Sequence, residues 1–180
     1  MKMLTESECL AWLADNRIPA DPYSSHYGPE TFGRIPFIEQ AKLPRHSTPV
    51  FLRLTKNLSS CRAALMHITD WALYTADEMS IFDACRRAHG ESRRFIESPG
   101  HLFQEAEFDL LAVMLGLVKT YGWVAYAYFD NGTTALVWKG DFLDLWAYEE
   151  TTFRDAREVL LGCGLQLTDR VPPSSHPNPS

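Results

Sequence analysis

The chain has 180 residues, 46% of them hydrophobic and 22% charged, proportions that fit an ordinary folded domain and exclude global disorder, collagen-like and coiled-coil classes. Its formal net charge is −6, and residues 101–180 hold 11 acids against 5 bases. Nucleic acid and anionic membranes are therefore poor partners for that half, because neutralising phosphates needs clustered Lys and Arg. The longest apolar run, Leu110 to Val118, is about half the length of a membrane-spanning helix. No secretory pattern opens the chain, and Cys9, Cys61, Cys85 and Cys163 form no C-x-x-C pair. A cytoplasmic protein with reduced thiols is expected.

In chain order, "TESE" at Thr5–Glu8 reads as a capping box that starts a short helix to about Asp15, with Cys9, Leu10, Trp12 and Leu13 in one apolar stripe. From residue 17 to 49, six prolines and no sustained periodicity predict a long irregular segment. "VFLRLT" from Val50 to Thr55 reads as a strand, a second strand is expected within Leu65–Tyr74, and a helical turn after Ser59 joins them. Thr75 and Glu78 form another capping box, starting a helix that Gly90 ends. Ser98 and Pro99 suit the N-cap and first position of a long helix running to Gly122, with Phe103, Phe108, Leu111, Leu115 and Val118 on its buried stripe. A last helix covers about Thr152 to Gly162 or Gly164, and residues 171–180, rich in proline, read as a disordered tail. The expected architecture is one α+β domain over 1–170, with an antiparallel sheet of about five strands, a C-terminal β-meander and helices packed mainly on one face.

The meander, Trp123 to Tyr148, carries the most informative pattern. Asn131-Gly132 predicts a two-residue type I′ turn pairing Asp130 with Thr133, which sets Ala125 opposite Trp138 and Ala127 opposite Leu136 on the core face. Gly140-Asp141 predicts a second such turn, placing Leu143, Leu145 and Ala147 on that face as well. The opposite face then holds Val124, Tyr126, Tyr128, Val137, Lys139, Phe142, Asp144, Trp146 and Tyr148. A wet sheet face normally alternates apolar with charged residues, so these aromatics require a cover. The chain's own proline-rich segment or last helix, a partner protein or second copy, and a small molecule are the three candidates.

Catalytic signatures are weak. His101, Glu105 and Asp109, at i, i+4 and i+8 of the predicted long helix, could offer one imidazole and two carboxylates to a metal, but no second histidine stands at zinc spacing, and a solvated helix face is the simpler reading. No metal and no cofactor are expected. His67, Asp70 and Cys61 are close in sequence, yet on a strand His67 and Asp70 point to opposite faces. Arg86, Arg87, Arg93 and Arg94 make the basic concentration of an acidic chain, either as helix C-terminal cations or as an anion site. His26 sits between Tyr23 and Tyr27 in the long segment. The sequence therefore points to a non-catalytic interaction protein, a regulator, accessory subunit or inhibitor of a basic partner, that binds a protein partner or a second copy of itself in a homodimer. The contact would use Tyr126, Tyr128, Phe142, Asp144, Trp146 and Tyr148 together with the acidic C-terminal half. The alternative is a small hydrolase or small-molecule-binding enzyme built on His26, His67, His101 or Cys61.

Overall fold

A computed structural model describes residues 1–18, 37–58, 61–70, 76–138 and 142–168. Among them stand five helices: α1 (Glu6–Asp15), α2 (Thr48–Asn57), α3 (Ala76–Ala88), α4 (Phe108–Thr120) and α5 (Glu150–Gly162). Eight strands accompany them: β1 (Lys2–Leu4), β2 (Phe37–Lys42), β3 (Ala63–Asp70), β4 (Gly100–Gln104), β5 (Val124–Phe129), β6 (Thr134–Trp138), β7 (Phe142–Ala147) and β8 (Gln166–Leu167). They form a single antiparallel sheet in the order β1-β4-β3-β5-β6-β7-β2-β8. The α+β class is as expected, but the sheet has eight strands rather than about five.

Four differences account for the count. Val50–Thr55 is not a strand but the middle of α2: Pro49 opens the helix, and Val50, Phe51 and Leu54 bury one helical face. The proline-bounded segment hides β2, which fits between Pro36 and Pro44 and pairs with both β7 and β8. The predicted long helix begins as β4, which lies between β1 and β3, passes through a 3₁₀ turn at Glu105–Glu107 and becomes α4 only at Phe108. Phe103 is thus a strand residue. β1 and β8, of three and two residues, are too short to show a period in sequence.

α1 carries the predicted capping box, with Thr5 and Glu8 bonded reciprocally. The ends of α3 and α5 also agree, each closed by a glycine with positive φ, Gly90 at 81° and Gly164 at 72°. The helical turn after Ser59, the Thr75 capping box, the Gly140-Asp141 turn and the tail at 171–180 lie outside the described residues.

The hairpin between β5 and β6 corrects the predicted register. Gly132 N–H donates to Phe129 O at 2.9 Å, and Phe129 N–H to Thr133 O at 2.9 Å, so the loop is the three residues Asp130-Asn131-Gly132. Gly132 takes the left-handed conformation (φ 86°) while Asn131 does not, as in a type I turn closed by a G1 bulge. One residue of slip turns β6 over. Ala125 faces Val137 and Ala127 faces Ala135, so Val137 and Ala135 belong to the core face.

The two sheet faces bury separate cores. On one, α2, α4 and α5 pack over Ala125, Ala127, Phe129, Ala135, Val137, Leu143 and Leu145, joined by Phe82 of α3. α2 and α4 approach so closely that a side chain on Gly116 would meet Thr48 Oγ1. On the other face, Cys9 and Leu13 of α1 join Leu65, Tyr126, Tyr128 and Trp146.

Candidate functional site

The aromatic face is the first candidate. Cross-strand pairing sets Ile38, Trp146, Thr134, Tyr128 and Leu65 in one row and Gln40, Asp144, Tyr126 and His67 in the next. Tyr126 and Tyr128 stack with centroids 5.5 Å apart, and Trp146 meets Tyr126 edge-on at 6.1 Å. These rings are interior: Tyr126, Tyr128 and Trp146 are 8%, 2% and 0% exposed, while Phe142 and Tyr148 are half-buried. The part of the cover that the described residues supply is α1. Thr5 starts α1, Cys9 and Leu13 face the rings, and Glu6 reaches His67 with Oε2 2.8 Å from Nε2. Neither the last helix, which packs on the other sheet face, nor a partner is needed for that portion. Asp144 is buried too, accepting from Gln40 Nε2 at 2.8 Å, while Thr168 Oγ1 donates to Gln40 Oε1 at 2.9 Å. This polar chain ties β7 to β2 and the residue after β8.

The residues weighed for catalysis do not converge. His67 lies on the α1 side of the sheet, whereas His101, paired with Met66, lies on the other. Cys61 is buried in the main core. His26 lies outside the described residues. His101, Glu105 and Asp109 occupy a strand, a 3₁₀ turn and the first turn of α4, so they share no helix face. Glu105 and Asp109 do border one small pocket of about 260 Å³ with Cys61 and Lys56, and Lys56 Nζ lies 3.8 Å from Asp109. No metal-holding group of three His, Cys, Asp or Glu occurs among the described residues.

The arginine cluster divides. Arg87 and Arg94 are exposed. Arg93 is bidentate to Glu91, with contacts of 3.0 Å from Nε and 2.6 Å from Nη2, and its hydrogen bonds hold the Glu91 carboxyl down at about 2. Arg86 is 1% exposed, its guanidinium 4.8 Å over the Phe95 ring and donating through Nη2 to Ser98 and the Arg93 and Arg94 carbonyls. Sequence alone could not separate the buried member from three surface neighbours.

A second candidate escaped the sequence reading. The end of β2, the loop to α2, the last turn of α4 and the α5–β8 turn surround an open cleft of about 700 Å³. Lys42, Arg45 and Lys119 line it together with Val50, Cys163 and Gln166, and no acid does among the described residues. Its walls are locally fixed. Lys119 Nζ donates to Arg45 O at 3.1 Å and Ser47 Oγ to Pro44 O at 2.6 Å, while Leu165 N–H returns to Leu160 O, closing α5 through Gly164. Burial raises the Cys163 thiol against a smaller opposing pull from Arg53, so it stays protonated at neutral pH and is a poor nucleophile. Chemically the cleft offers cationic donors for carboxylate or phosphate oxygens. Lys119 stands 74 residues beyond Arg45, a separation that no linear motif scan detects.

Comparison with family models, with curated proteins and with solved structures finds no match.

Proposed function

We propose that the chain is a non-catalytic binding protein that takes carboxylate or phosphate groups of an acidic partner in the cleft formed by Lys42, Arg45 and Lys119. The observation carrying this reading is the cleft itself: three cations and, among the described residues, no acid around about 700 Å³ of open space, on a chain of net charge −6. Cations gathered without counter-charges on an acidic protein attract an anion locally that the molecule as a whole repels. An open mouth suits a side-chain carboxylate presented by another protein. This reading shares only its class, an interaction protein, with the sequence expectation: it uses the cleft instead of the aromatic face, whose central rings are interior, and an acidic partner instead of a basic one.

Anisotropy of a labelled hexaglutamate peptide, with inorganic phosphate as competitor, tests the proposal. Wild-type protein binds saturably, binding weakens as ionic strength rises, and Lys42→Glu with Lys119→Glu abolishes it. Phosphate displacing the peptide places both chemistries in one site. Undiminished binding by the double variant, or no binding of either probe by the wild type, overturns the proposal.

A further inference from the structure

We propose that a small monovalent anion of the chloride class occupies the seam between α3 and β4, held by the guanidinium of Arg86 with Ser98 beside it. The inference is independent of the cleft and rests on charge and hydrogen-bond accounting around one buried group. Arg86 and Ser98 are 1% and 0% exposed. A buried guanidinium normally faces a carboxylate, because desolvating an unpaired charge costs several kcal/mol. Here the nearest candidate, Glu91, is engaged bidentately by Arg93. Asp83 lies one turn back on α3, its carboxylate 3.9 Å from Arg87.

Arg86 is left with neutral acceptors, all on Nη2: the Ser98 hydroxyl and two carbonyls at 3.4 Å. Its Nε and Nη1 are buried without a hydrogen-bond partner. Phe95 packs on the guanidinium, its ring centroid 4.8 Å from the Arg86 carbon. Two unpartnered N–H-bearing nitrogens thus lie beside Phe95, on a charge that Glu91 and Asp83 attract without a hydrogen bond to it among the described residues. Buried donors of this kind demand an acceptor, and a monovalent anion supplies both the acceptor and the missing charge. A multivalent oxyanion would bring more charge than one guanidinium offsets.

Bromide provides the direct test, since it replaces chloride and scatters anomalously. Crystals of the wild-type chain in bromide should show an anomalous peak in contact with an Arg86 guanidinium nitrogen. In solution, the wild-type melting temperature should rise saturably with chloride over gluconate at equal ionic strength, whereas Arg86→Met should melt alike in both salts. Water alone at the site, with no anomalous peak, overturns the proposal whether or not the variant folds. Equal melting of the wild type in the two salts overturns it as well.

Discussion

His101 is held down to about 3, from an ordinary 6.5, first by burial and then by the charge of Arg86, while the Pro99 and Met66 carbonyls pull weakly the other way. The ring is therefore neutral in the folded chain at pH values where the unfolded chain would protonate it. Stability is unaffected above about pH 6.5 and is lost as pH falls from there toward 3, at a slope approaching about 1.4 kcal/mol per pH unit from this one site. Urea melts from pH 7 to 4 should show that loss, and His101→Phe should remove its share of the slope. An unchanged slope in the variant would refute the neutral buried ring. Gly100, next to it, is a matter of space: a Cβ there would collide with Cys9 Sγ beneath α1. Gly100→Ala should cost about 1–3 kcal/mol, and much of that cost should vanish in a Cys9→Ala background. The sequence offered neither result, because it read both residues into the start of a helix and a strand has different neighbours.

Elements were legible where caps and periods agree. The Thr5–Glu8 box fixed the start of α1, and Gly90 and Gly164 marked helix ends because positive φ is nearly free only for glycine. They were misread where a short element has little period of its own. β4 offers five residues, GHLFQ, which continue smoothly into the apolar pattern of α4, and only its place between β1 and β3 makes it a strand. The hairpin failed for a narrower reason: Asn-Gly serves a two-residue type I′ loop and also the last two positions of a three-residue loop, and sequence cannot count the residues between paired ends. Gly132→Ala should cost about 1 kcal/mol in thermal or urea unfolding. A larger test lies across the sheet. Trp146→Ala should lower stability by about 3–5 kcal/mol, as expected for emptying a buried aromatic site, and leave the sedimentation coefficient unchanged. A stable variant with altered self-association would instead favour the interface reading of that face.

At the scale of the molecule, one antiparallel sheet separates two cores, and α1 draws the aromatic face inward through Cys9 and Leu13. That face was legible as an anomaly needing a cover, but the N-terminal helix could not be named as its cover, since a period shows which side of a helix is apolar and not which sheet face receives it. The cationic cleft was illegible for a related reason: Lys42, Arg45 and Lys119 meet through the packing of α2 against α4 and the return of α5 to β8. The central rings of one sheet face are thus buried within the chain, and the proposed acidic partner would engage the cationic cleft. Amide chemical-shift mapping during titration with a hexaglutamate peptide tests both halves at once. The account predicts saturable shifts at Lys42, Arg45, Lys119, Gly164, Leu165 and Gln166, with none at Cys9, Leu13, Tyr126, Tyr128 or Trp146. Shifts confined to the aromatic face, or none anywhere, would contradict it.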